Sequence, residues 1–199
     1  MKKYKLQLSI LGVIILVFIS IMTYIWIKNT RSIYTQIDSS MRAIDVNYSE
    51  ILDVHFDNKH NLVFYLTNNE RIGIVSLRKT LTGFKLKSHI NNSEFIADKD
   101  ISWHGTEKTN VDIHLLYGKV QNSETTQIII VSEGNQSANI IKNGSHTFWY
   151  FLSDDELHLP ITIQTFDKDG KKLYETGDIN YWNEINQKLR ISNENDSLG

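Results

Sequence analysis

One run constrains this chain before anything else. Leu6 to Ile27 reads LQLSILGVIILVFISIMTYIWI, 22 residues without a charge. As a helix at roughly 1.5 Å per residue it extends about 33 Å, enough to cross a hydrocarbon core of about 30 Å. A cleaved signal peptide has a shorter apolar region, about 7–15 residues, and ends in small residues. Here Tyr24, Ile25, Trp26 and Ile27 stand where cleavage would need small side chains. The run is therefore expected to stay as a single transmembrane helix over residues 6–27, with Tyr24 and Trp26 at the interface. Lys2, Lys3 and Lys5 precede it, and Lys28 and Arg31 follow it. The positive-inside bias then puts residues 1–5 in the cytoplasm and residues 28–199 outside the cell membrane.

The chain has no cysteine. Disulfides, thiolate metal sites and a lipidated cysteine are excluded together. Setting aside Lys2, Lys3 and Lys5 leaves 18 basic against 23 acidic residues. A mildly acidic outer part is no general nucleic-acid binder.

Residues 28–49 read as a stalk and a short helix, because Ile37, Met41 and Ile44 recur at helical spacing. From Glu50 the pattern has period two. Leu52, Val54 and Phe56 alternate with Asp53 and His55, and strand-sized runs then return every 8–12 residues, with no long helix between them. The expected class is all-β: an antiparallel β-sandwich over residues 50–176, with short flanking helices. Leu52, Val54, Phe64, Ile74, Leu86, Leu115, Ile129, Ile140, Tyr150 and Ile163 are its expected inward residues. Residues 177–199 read as a helix or a disordered tail, with Tyr181, Ile185 and Leu189 on one helical face.

No phosphate-cradling glycine loop, metalloprotease helix or nucleophile elbow is present. Three groups of residues could carry function. Between Glu70 and Glu94 lie Arg71, Arg78, Lys79, Lys85 and Lys87 without an intervening acid, a strip suited to lipid headgroups or anionic envelope polymer. Phe148-Trp149-Tyr150-Phe151 sends Trp149 and Phe151 to one strand face, which is either covered or an aromatic contact surface. Asp112 and His114 share a face two residues apart, and His104 could join them around a borderline cation such as zinc.

Phe64-Tyr65, Arg78-Lys79-Thr80-Leu81-Thr82-Gly83-Phe84-Lys85-Leu86, Ile101-Ser102-Trp103, Leu116-Tyr117-Gly118-Lys119-Val120 and Asp167-Lys168-Asp169-Gly170-Lys171-Lys172-Leu173-Tyr174-Glu175 follow one another in this order. Across residues 50–176 the series resembles small membrane-anchored proteins of Bacillus-type bacteria (Firmicutes) that have no assigned activity. The resemblance implies a Gram-positive host and an outer-face domain, and it carries over no catalytic residue.

The expectation is a membrane-tethered outer domain that binds an envelope component, a lipid headgroup or a membrane-protein partner, with no cofactor and no enzymatic activity. A metal-assisted envelope hydrolase and a structural or assembly role in a membrane complex are the alternatives.

Overall fold

The computed structural model describes residues 2–94, 100–106, 113–185 and 187. The chain divides into two compact units, residues 1–89 and 90–199. It follows the expected class: an N-terminal apolar helix, then antiparallel β-structure in three four-stranded sheets. The strands expected in one sandwich over 50–176 are distributed between the two units.

In the first unit, α1 (Lys2–Asn29) is followed by α2 (Ile33–Ile44) and by β1 (Tyr48–Phe56), β2 (Asn61–Thr67), β3 (Arg71–Thr80) and β4 (Gly83–Glu94). Within α1, the span Ile10–Asn29 is long and apolar enough to cross a membrane, and none of it is buried in the protein. Ser32 caps α2 by accepting a hydrogen bond from the Thr35 amide at 3.2 Å. Ile37 and Met41, one helical turn apart, are fully buried against Val63, Tyr65, Val75, Leu77 and Phe84. The sheet is a meander in the order β1-β2-β3-β4, so short hairpin turns suffice to connect it. Tyr65 faces Gly73 across the β2–β3 pair. A Cβ at Gly73 would run into the Tyr65 ring. The missing side chain therefore makes room for that ring, whose hydroxyl donates to Asp45 at 2.9 Å. Burial and this hydrogen bond raise the Tyr65 phenol pKa above its ordinary value.

The second unit adds β5 (His104–Gly105), β6 (His114–Lys119), β7 (Gln127–Ile130), β8 (Gln136–Ser137), β9 (Asn139–Asn143), β10 (His146–Ser153), β11 (Ile163–Phe166) and β12 (Lys172–Thr176). They form two sheets, β5-β6-β10-β9 and β12-β11-β7-β8. One core joins them, with Leu116, Trp149 and Phe151 from the first sheet against Ile128, Ile130 and Ile163 from the second. Trp149 lies opposite Gly118, and its indole N–H donates to the Ser102 carbonyl at 3.0 Å. The Ser102 segment passes so close that a Cβ at Gly118 would collide with backbone atoms of Ser102. The glycine thus lets this segment and the tryptophan share one side of the strand.

Two sequence expectations change here. Ile129 is only half-buried, whereas Ile128 and Ile130 are fully buried. Three consecutive isoleucines hold no alternation, so the sequence cannot set their facing. The pairing Ile130↔Ile163 sets it instead. Trp149 and Phe151 are core residues with 0% and 5% exposure, not a contact surface. The opposing sheet covers them. Val54, Leu86 and Ile140 are half-buried at the margins of the two cores, and the remaining expected inward residues are buried.

This packing predicts three unequal substitutions. Ile128→Ala should cost about 2–5 kcal/mol and Ile129→Ala clearly less. Gly118→Ala should cost about 1–3 kcal/mol through overpacking. Urea unfolding of the detergent-solubilised chain, followed by tryptophan fluorescence, checks the order. Equal losses at Ile128 and Ile129 would contradict the assigned facing.

Candidate functional site

The second unit holds a cleft of about 490 Å³ beside the sandwich. Three pieces of chain build it. The first is a 3₁₀ turn, Val131–Glu133, which continues β7. It is closed by Gly134 and Asn135 at φ 69° and 62°, consecutive left-handed residues that reverse the chain. The second is the connection between β10 and β11, which carries Ser153, Asp155, His158 and Leu159. The third is the helical segment that begins at residue 179. Asp178 caps that segment by accepting from the Tyr181 amide at 3.1 Å, and its own amide donates to Thr162 Oγ1 at 3.0 Å. Trp182 Nε1–H donates to the Pro160 carbonyl at 2.8 Å and fastens the segment to the connection.

Glu133 and His158 stand at the centre. The Glu133 side chain is 5% exposed and that of His158 is 65% exposed. Both carboxylate oxygens are used by one residue: Oε1 accepts the His158 amide at 2.8 Å, and Oε2 lies 2.9 Å from His158 Nδ1. A carboxylate can only accept, so Nδ1 carries a proton and points at Glu133, while Nε2 is left for the cleft. The ring is held further by Trp182, edge-on at 6.3 Å between centroids. Burying a carboxylate is costly unless its lone pairs are met, and here two hydrogen bonds meet them. The outcome is an exposed imidazole of fixed orientation, beside Asp155 and Ser153, with Leu159, Tyr181 and Ile185 as an apolar wall. Such a cleft can accept hydrogen bonds from a ligand and cover its apolar side.

Among the described residues, none of the candidate site residues read from the sequence lines this cleft. His104 on β5 pairs with Tyr117 on β6, and their rings are 5.6 Å apart. Burial lowers the His104 pKa below the ordinary histidine value. His114 lies three positions from Tyr117 along β6, an odd offset, so it points to the opposite face of the sheet. His104 and His114 therefore cannot hold one ion together. Asp112 lies outside the described residues, and among those described no three histidine, aspartate or glutamate side chains form a metal-binding group.

The basic strip is divided. Lys85 and Lys87 share the exposed face of β4, and Arg78 and Lys79 are exposed near the end of β3. Arg71 opens β3, seven residues and roughly 23 Å from Arg78, so it does not join them.

The sequence reading missed Glu133 and His158. They are 25 residues apart and belong to no spacing rule. Locally, Ser-Glu-Gly-Asn reads as a turn and His-Leu-Pro as a loop. Comparison with protein-family models, with curated proteins and with solved structures gives no match.

If the pair is as described, Glu133→Ala should cost about 1–3 kcal/mol, because the His158 amide loses its acceptor. Glu133→Gln should restore most of this loss while reversing the ring. Its oxygen would take the amide and its N–H₂ would donate to Nδ1, leaving the proton on Nε2. Imidazole ¹⁵N chemical shifts report the tautomer. An unchanged tautomer in Glu133→Gln would contradict the arrangement.

Proposed function

We propose that this chain is a single-pass membrane protein whose outer part binds a polyhydroxylated ligand, a saccharide unit of the cell envelope, in the Glu133–His158 cleft. The observation that carries the reading is the buried glutamate that fixes an exposed histidine beside an apolar wall. Sugar hydroxyls donate to His158 Nε2 and to the Asp155 carboxylate, and they accept from Ser153 and the Gln136 amide. The apolar face of the sugar ring packs on Tyr181, which is 42% exposed. The helix Ile10–Asn29 supports the tether, and the charges around it favour an outer location for the rest of the chain.

A hydrolase is the second reading, and the same pair motivates it. An imidazole with Nδ1 held by a carboxylate is the form of a general base. Among the described residues no hydroxyl nucleophile is hydrogen-bonded to His158, so binding is the reading preferred here.

The test is titration of the full-length chain in neutral detergent with N-acetylglucosamine and glucose oligomers, followed by Trp182 fluorescence. Wild type should respond saturably, and His158→Ala and Tyr181→Ala should each weaken binding about tenfold or more. Oligomer turnover that is lost in His158→Ala would favour the hydrolase. No response from wild type to either series would overturn the saccharide reading.

A further inference from the structure

The first unit contains a second cleft, of about 330 Å³, between α2 and the β3–β4 hairpin. Its cations come from distant parts of the sequence: Lys28 at the end of α1, Arg31 just before α2, and Lys85 on β4. Among the described residues no acidic side chain lines it. Among the described residues no carboxylate forms an ion pair with any of the three. The backbone around them is fixed. Gln36 Nε2–H donates to the Arg31 carbonyl at 2.8 Å, and Ser40 Oγ–H lies 2.9 Å from the Phe84 carbonyl, tying α2 to β4. Three like charges lining one concavity repel one another through the solvent, and a bound anion would relieve this.

Position identifies the anion. Lys28 directly follows the apolar run, and its ammonium stands over the Tyr24 ring at 5.8 Å. If α1 crosses a bilayer, Lys28 lies at headgroup depth. Apolar residues adjacent in sequence to its lining residues are exposed: Ile33 and Tyr34, after Arg31, are more than half exposed, and Leu81, before Thr82, is 75% exposed. Cations in a cleft with exposed apolar side chains nearby in sequence match a lipid, whose phosphate is anionic and whose chains are not.

We propose that this cleft binds the phosphate headgroup of an anionic lipid in the membrane that anchors the chain. Lys28, Arg31 and Lys85 take the phosphate, and Ser39, which also lines the cleft, borders the rest of the headgroup. The bound lipid then bridges the end of α1 and the β3–β4 hairpin. Of the basic residues singled out in the sequence, Lys85 is the one that lines this site. The proposal rests on the anchoring reading only for the source of the lipid. Binding is measured in detergent, so the two readings fail separately.

The experiment uses the full-length chain in neutral detergent and native mass spectrometry. Dihexanoyl-phosphatidylglycerol, dihexanoyl-phosphatidylcholine and glycerol phosphate are the probes. Wild type should bind the phosphatidylglycerol at least tenfold more tightly than either of the others. Lys28→Gln/Arg31→Gln/Lys85→Gln should abolish the preference, and Lys79→Gln/Lys87→Gln should keep it. Should the triple variant not fold by circular dichroism, Lys85→Gln alone decides, with about a fivefold loss expected against none for Lys87→Gln. Binding of glycerol phosphate as tight as that of the lipid would replace the lipid site by a free-anion site. A preference that survives removal of the cleft cations would overturn the proposal.

Discussion

None of the apolar side chains from Ile10 to Ile27 is buried within the protein. A Val, Leu, Ile or Phe side chain left in water forgoes about 1.5–3 kcal/mol each, and this helix carries them around its whole circumference. No local arrangement offsets such a loss. In the proposed reading a bilayer supplies the apolar phase, and its thickness fits the length of the helix. Other features follow from this constraint. In that reading Lys28 and Arg31 mark the level where the chain leaves the apolar phase. Ser32 then starts a new helix whose period and burial belong to a water-soluble fold. The folded part has its own cores and no disulfide.

Much of this was legible because it rests on local periodicity. The 3–4-residue spacing of Ile37, Met41 and Ile44 announced α2, and Ile37 and Met41 are its buried residues. Period-two spacing announced β1, β2 and β3, whose hairpins are closed by short turns. Alternation failed where a run is uniformly apolar. In Ile128-Ile129-Ile130 and in Phe148-Trp149-Tyr150-Phe151, facing is decided by the cross-strand partner, not by the residue. Both faces of β10 are covered: Trp149 and Phe151 pack against the opposing sheet, and Phe148 and Tyr150, stacked 6.2 Å apart on the other face, are buried as well.

The candidate sites were less legible for the same reason. Glu133 meets His158 only because the 3₁₀ turn after β7 brings its side chain to the β10–β11 connection. Lys85 meets Lys28 and Arg31 only because a hairpin returns β4 to the end of α1. Charge counts along the sequence grouped Lys85 with Arg71, a residue at the far end of the neighbouring strand. Parity separates the two histidines of the metal reading, whose Asp112 lies outside the described residues. Cross-strand partners share a face, and an odd offset along β6 turns His114 away from His104.

The account depends most on α1 spanning a membrane with the β-structure on its outer side. The absence of cysteine makes this directly measurable. Single cysteines placed at Lys3 and at Ser123 would each be the sole thiol of the chain. Intact cells are treated with a membrane-impermeant maleimide before and after permeabilisation. The account predicts labelling of Ser123→Cys in intact cells and of Lys3→Cys only after permeabilisation, both on full-length chains. Labelling of Lys3→Cys in intact cells with Ser123→Cys protected would reverse the topology, and a mature chain beginning beyond Trp26 would remove the anchor.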